Sequence, residues 1–264
     1  MGGTGGRWGS PLFERGRELG GGTPRRRVAQ RPVLSPHPPG AAPTPGQDVC
    51  RQHSPGTMTH MAITVGFDLD MTLIDSRPGI RACYQALSER TGTYIDADLA
   101  VTRLGPPLAE ELINWFPAEE IETVADVYRE MYPAIAIAAT PALPGAREAI
   151  AAVREAGGRA IVVTAKYEPN AKLHLAHLGI EPDAVIGDLW AEQKAEALRE
   201  HDAGVYVGDH VGDVRGARTA GALSVAVATG PCPPEELRAA GADVVFTDLT
   251  EFPGWFSDYR PARA

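Results

Sequence analysis

The sequence predicts an α/β protein with a Rossmann-like core, a parallel sheet and a small helical domain inserted after the first strand. Three observations carry that expectation. Short apolar runs of strand length alternate with helical patterns from Ile63 onward, as in chains of β-α-β units. The alternation breaks once, between residues 77 and 141, where only helix-like segments occur. Acidic, hydroxyl and lysine side chains come directly after the predicted strands, where open α/β sheets bind their ligands.

Each element has a local reason. Residues 63–67, 159–163, 184–186, 205–207, 223–227 and 243–246 are β-branched or apolar runs too short for helices. Residues 145–155 place Ala146, Ala149, Ile150 and Val153 on one helical face, and Gly157-Gly158 stops the helix. Further helices are expected over 169–178, 191–200, 214–220 and 234–240. Within the break, helices are expected over 80–90, 108–115 and 118–131, separated by Gly92, Gly105-Pro106-Pro107 and Pro117. The division is then a catalytic core over 58–77 and 142–264, with a helical cap over 78–141 lying across the strand ends.

Residues 1–57 differ from the rest. They are rich in Gly, Pro and Arg and show no hydrophobic period of 2 or 3.6, so they read as a disordered tail. They lack the apolar stretch of a secretory signal, and their Gly2–Gly6 cluster comes after no strand, as a phosphate loop would. Translation from Met58 or Met61 would make the tail an over-long gene reading.

Charge and cysteine usage narrow the function. The chain carries a net charge of −9 over 264 residues; residues 1–57 hold eight Arg against three acids, a net of +5, leaving −14 on the remainder. An acidic body argues against nucleic acid as a partner. It is compatible with a small phosphorylated metabolite, because a divalent cation inverts the local sign. Three scattered cysteines without a CxxC pair argue against a disulfide framework or a zinc site. No segment has the ~20 apolar residues of a membrane span, so a cytoplasmic location is expected. The oligomeric state is left open, a homodimer included.

The chemistry sits at the strand ends. The first strand runs into Asp68-Leu69-Asp70-Met71-Thr72, the second into Thr164-Ala165-Lys166, and the fourth into Gly208-Asp209-His210-Val211-Gly212-Asp213; Lys194 lies after the third. Such a set suits phosphoryl transfer, which needs an in-line nucleophile, a proton donor for the leaving group and positive charge on the equatorial oxygens. Asp68 is the candidate nucleophile and Asp70 the candidate acid and base. Asp68, Asp70 and Asp209 are oxygen ligands suited to Mg²⁺, with Asp213 supporting them from the same helical turn as Asp209. Thr164 and Lys194 would hold the phosphoryl group, Lys166 competing with Lys194 for that role. The chain has 3 lysines against 22 arginines, and a lysine kept in such a composition points to a compact point charge.

These motifs resemble those of the haloacid dehalogenase-like superfamily, specifically its helical-cap phosphatase branch, similar to phosphoglycolate phosphatases. Asp68–Thr72 matches the first motif, Val162-Val163-Thr164 the second, Lys194 the third and Gly208–Asp213 the fourth, over about residues 61–256. The resemblance implies an Asp nucleophile, an acid/base Asp two residues on, Mg²⁺, and a cap whose Gly105-Pro106-Pro107-Leu108 turn selects substrate. Met71 departs from the Gly usual in that branch, and the segment before Lys194 lacks the Lys-Pro of phosphoglycolate phosphatases. The reading is a Mg²⁺-dependent phosphatase of small phosphomonoesters acting through an aspartyl-phosphate. A phosphomutase of the same family, or an inactive binding protein on the same fold, are the alternatives. His210 reads as loop packing, His174 and His177 as surface residues, and Trp115, Phe116 and Tyr128 as helical core.

Overall fold

The computed structural model describes residues 63–259; the expectations for residues 1–57 and for a start at Met58 or Met61 lie outside them. Six strands form one parallel sheet: β1 (Thr64–Phe67), β2 (Arg159–Val163), β3 (Ala184–Ile186), β4 (Ala203–Gly208), β5 (Leu223–Val227) and β6 (Val244–Phe246). Their order is β3-β2-β1-β4-β5-β6. The chain winds outward from β1 on one side, then returns to β4 and winds outward on the other. The switch point therefore lies between β1 and β4, and a parallel sheet opens its binding crevice there, beyond the carboxyl ends.

Alternation along the strands divides the core. Val65, Phe67, Ala160, Val162, Val205 and Val207 face one side, with Ala149, Ile150 and Phe252 packed on them. Ile161, Val163 and Tyr206 face the other, against Leu198 and Ala217. Both faces are covered, which is why the strands read as continuous apolar runs.

The segment after β1 is helical, as expected. It comprises α1 (Arg77–Thr91), α2 (Ala97–Ala100), α3 (Leu108–Leu112) and α4 (Ile121–Ala136). These bury their own cluster, including Ile80, Tyr84, Leu87, Leu112, Tyr128 and Tyr132. α1 begins with Pro near its first position and ends at Gly92, whose φ of 73° lets its N–H bond back to Ser88. The expected helix over 118–131 is instead a short 3₁₀ turn followed by α4, which runs on through Pro133. An interior proline costs roughly 3 kcal/mol. Tyr128, Tyr132 and Ala136, buried on one face across it, offset that cost.

The remaining helices are α5 (Ala146–Glu155), α6 (Glu168–Leu178), α7 (Lys194–Glu200), α8 (Val211–Ala220), α9 (Pro234–Ala239) and α10 (Phe252–Asp258). α10 was not expected. Its signal was present, because Phe252, Trp255, Phe256 and Tyr259 stand at i, i+3, i+4 and i+7; Phe252 sets its ring edge-on to Phe67 of β1, 5.4 Å between centroids.

Between β1 and α1 the chain makes a tight turn over residues 69–74. The Leu69 carbonyl accepts from the N–H groups of Thr72, Leu73 and Ile74, and the Met71 N–H returns to the Ile74 carbonyl. Met71 is held at φ 60° with only 2% of its surface exposed. That left-handed geometry explains why glycine would fit this position, and a residue with a Cβ is strained there by about 1 kcal/mol. Met71→Gly should therefore be more stable than Met71→Ala by about 1 kcal/mol in urea denaturation, with both below wild type because buried thioether contacts are lost. Alanine proving the more stable would show that the turn makes no left-handed demand.

Candidate active site

Asp68 comes just after the last residue of β1, and its N–H still bonds the Val207 carbonyl of β4 at 2.8 Å. The strand pairing thus fixes its backbone at the switch point. Lys194, the first residue of α7, reaches it from below with a side chain 1% exposed. Its ammonium donates to Asp68 Oδ1 at 2.8 Å, to Asp213 Oδ1 at 2.6 Å and to the Tyr206 hydroxyl at 2.9 Å. All three of its donors are satisfied. Tyr206 passes its own proton to the Val163 carbonyl at 2.7 Å, so the β2 and β4 backbones brace the lysine.

Asp209 and Asp213 are not on one helical turn, contrary to expectation. Asp209 precedes α8, whose N-cap is His210, and Asp213 is the third residue of that helix. Asp213 Oδ2 accepts the His210 N–H at 3.1 Å, while His210 Nδ1 accepts the Gly212 N–H at 3.0 Å. His210 also packs on Trp190; it is a cap residue, consistent with loop packing. Asp209 Oδ1 accepts the Thr72 hydroxyl at 3.1 Å. Gly230, after β5, leaves room for it: a Cβ there would meet Asp209 Oδ2 at 1.7 Å.

Asp68, Asp209 and Asp213 each bring a carboxylate oxygen within 4.8 Å of the other two. The sequence placed Asp70 in this set, and the structure does not: its carboxylate turns to Lys166, with Nζ to Oδ1 at 3.0 Å. Asp68 and Asp70 stand at i and i+2 and both line one cavity, but their carboxylates take different partners, Lys194 for Asp68 and Lys166 for Asp70. Three carboxylates against one ammonium leave an excess of two negative charges in a buried cluster. Burial accordingly pushes the Asp68 carboxyl up to about 7, against the pull of Lys194 and with the help of Asp213 and Asp70. Burial, then Asp213 and Asp68, raise Asp209 well above the carboxylate range. An all-oxygen donor set with an uncompensated double negative charge fits a hard divalent cation.

A cavity of about 170 Å³ opens over Asp68. Asp68, Asp70, Thr164 and Lys166 line it from the core, and Gly105, Pro106, Pro107 and Leu108 from the helical segment, together with Tyr84, Tyr128 and Arg129. Thr164 is buried, and its Oγ1 accepts the Lys166 N–H at 3.2 Å, so its proton is free to donate into the cavity. It does not cap α6, whose N-cap is Tyr167. Tyr128 reaches the cavity, whereas Phe116 is buried in the helical cluster and Trp115 bonds Glu111.

His174 is a correction. It was expected on the surface with His177; it is fully buried, its Nε2 2.9 Å from the Tyr132 hydroxyl. His177 is exposed, as expected. Sequence reasoning also missed Tyr206, Tyr132 and Gly230. The pair Thr229-Gly230 stands just beyond the carboxyl end of β5, and that position, shared with Asp68, Thr164 and Asp209, is the signal that could have found it. Nothing local in the sequence marks the two tyrosines, since their partners are far along the chain.

Among the described residues no helix is long and apolar enough to cross a membrane. Residues 65–218 match the family described as haloacid dehalogenase-like hydrolase, and residues 191–252 match a second hydrolase-like pattern of the same group. The tyrosine-protein kinase PtkA of Mycobacterium tuberculosis is 33% identical over 194 residues, 68% of this chain and 66% of that protein. The chain thus spans just under two thirds of the length of these relatives. A phosphoglycolate phosphatase of Caulobacter vibrioides is 26% identical, over 72% of this chain and 89% of the relative. In structure, a haloacid dehalogenase-like hydrolase from Streptococcus pneumoniae superposes with a TM-score of 0.65 at 23% identity, covering 74% of this chain and 98% of that one. The family match takes in more than half of the chain, including Asp68, Thr164, Lys194, Asp209 and Asp213; this protein belongs to the haloacid dehalogenase-like hydrolases.

Proposed function

We propose that this hydrolase is a Mg²⁺-dependent phosphatase that cleaves a small phosphomonoester through an aspartyl-phosphate on Asp68. The observation that carries the reading is the placing of Asp68 at the switch point with one oxygen tied to Lys194, beside the carboxylate cluster and beneath a small cavity. Relatives named phosphoglycolate phosphatase support the reaction class; the individual phosphomonoester is for a substrate panel to identify.

The chemistry can be built from the geometry. Lys194 occupies Oδ1 of Asp68, which leaves Oδ2 to attack phosphorus. As the new P–O bond forms, the ester P–O bond breaks and the departing alkoxide takes a proton from Asp70, which lines the same cavity. Asp70, now ionised, takes a proton from water; the hydroxide attacks the phosphorus of the aspartyl-phosphate and releases inorganic phosphate and the Asp68 carboxylate. The Thr164 hydroxyl donates to an equatorial oxygen throughout. Asp68 and Asp209, supported by Asp213, would hold Mg²⁺, which supplies positive charge to the phosphoryl oxygens when bound. The helices from α1 to α4 would serve as a cap, its Gly105–Leu108 loop excluding water and bulky partners.

Asp68→Asn preserves shape but removes the nucleophile, and should reduce phosphate release to background in a panel of phosphomonoesters assayed with Mg²⁺; chelator should do the same to wild type. Wild-type turnover by Asp68→Asn would sink the mechanism. Cation binding needs Asp68 ionised. With the Asp68 carboxyl raised to about 7 and that of Asp209 raised as well, the protonated fraction grows as pH falls through 7, so Mg²⁺ should displace more protons at pH 6 than at pH 8. Calorimetry in buffers of different ionisation enthalpy reads this together with any proton displaced from Asp209, and Gly230→Ala, which drives a methyl group into Asp209, should abolish the binding heat.

The 33% identity to a protein named tyrosine-protein kinase favours a second reading, in which phosphoryl groups pass to a protein hydroxyl instead of water. Incubation with γ-labelled ATP and Mg²⁺ separates the two: the phosphatase reading expects free phosphate and no label on tyrosine, and stable phosphotyrosine on the chain or an added protein would favour the kinase.

A further inference from the structure

Lys166 is not at the nucleophile. Its side chain, 8% exposed, lies between Asp70 and the cap: Nζ is 3.0 Å from Asp70 Oδ1 and donates to the Tyr132 hydroxyl of α4 at 2.8 Å. That hydroxyl lies 2.9 Å from His174 Nε2 on α6. Tyr132 is 1% exposed and His174 fully buried. An ammonium only donates, so the phenol oxygen accepts from Lys166. The direction of its contact with Nε2 follows the imidazole tautomer; with the imidazole neutral and its proton on Nδ1, Tyr132 donates to Nε2 and its oxygen is left oriented toward Lys166. Burial and the neighbouring Lys166 hold the imidazole down near 4, in keeping with the neutral form. Nδ1 has no hydrogen-bond partner.

A buried N–H without a partner costs about 1–3 kcal/mol. Apolar residues at 132 and 174 would fill the space without that cost. The polar chain is thus poorly explained as packing, and its one open end touches the ion pair of the acid/base carboxylate.

We propose that Tyr132 is a positioning residue: with α4 seated on the core, its hydroxyl, oriented by His174, holds Lys166 against Asp70 and away from the carboxylates around Asp68. Asp70 thereby receives its orienting cation only when the cap is in place. Released from Tyr132, the ammonium would have a spare donor and no hydroxyl to hold it in place against Asp70. As a role in catalysis this rests on the phosphatase reading; as a structural relay it does not.

Two measurements on the full chain test it. In nitrogen-15 spectra, wild-type His174 should show the Nδ1–H neutral tautomer, and the Lys166 ammonium a slowly exchanging signal. Tyr132→Phe, which keeps the ring packed on Tyr128, should lose the second and mix the first. With para-nitrophenyl phosphate and Mg²⁺, Tyr132→Phe should lower kcat about tenfold with KM changed less than twofold, as expected for misplacement of a reacting group. In a Lys166→Met background the same change should have no further effect. His174→Gln, whose amide oxygen can accept from Tyr132, should retain more kcat than His174→Phe. Unchanged spectra, or losses that multiply across the Tyr132–Lys166 cycle, would overturn the proposal. If wild type releases no phosphate from any monoester, the phosphatase reading fails, while the spectra still decide whether the relay exists.

Discussion

The site depends on a single buried ammonium. Lys194 is almost completely hidden, yet it makes hydrogen bonds to Asp68, Asp213 and Tyr206. Taking such an ion out of water costs several kcal/mol, recovered only when geometry and hydrogen bonding are complete. Here they are complete, and the same contacts make a carboxylate cluster tolerable at the point where β1 and β4 diverge. Without the lysine, Asp68, Asp209 and Asp213 would confront one another across less than 5 Å with no fixed cation. The fold creates this problem by bringing the strand ends together, and α7 resolves it by starting at the residue whose side chain can reach across.

The two buried lysines pair with different acids, Lys194 with Asp68 and Asp213, Lys166 with Asp70. Each ammonium is committed to its own carboxylate, so neither replaces the other. This gives substance to the composition: the chain has 3 lysines and 22 arginines, and among the described residues the arginine ion pairs have partly or largely exposed guanidinium groups. A planar fork suits a solvated carboxylate. A compact charge suits a socket with tetrahedrally arranged acceptors. Lys172, the third, is an exposed i,i+4 partner of Glu168, so the argument from scarcity holds for two residues of the three.

Much of this was legible because strand ends are local features. The run into Asp68, the Thr164 just after β2 and the Gly208–Asp213 segment each declare themselves within a few residues, and parallel topology alone then brings them together. The features that were not legible depend on contacts distant in sequence or on backbone sign. The helix expected over 118–131 continues to Ala136, because burial on both sides of Pro133 keeps α4 intact. His174 looked like a surface residue because the partner that buries it, Tyr132, is 42 positions away. Asp70 groups with Asp68 and Asp209 on donor chemistry alone, and the partner of its carboxylate, Lys166, is 96 positions away.

That turn shows how strain can be useful. Met71 is left-handed and buried, and its surroundings give it no freedom to relax. Its N–H is committed to Ile74, three N–H groups converge on Leu69, and the Thr229 hydroxyl donates to the Met71 carbonyl. Strain of this size persists only where neighbouring structure over-determines it. The result is a rigid bend with Asp68 and Asp70 on its near side and Thr72 on its far side, where the Thr72 hydroxyl reaches Asp209. One strained residue therefore sends the chain back across the strand end, so that Thr72 reaches Asp209 while Asp68 and Asp70 stay on the cavity side, with Lys194 and Lys166 as their partners. A glycine would permit the same bend without strain, but would leave unfilled the space that the methionine side chain occupies, and a looser bend would loosen both carboxylates at once.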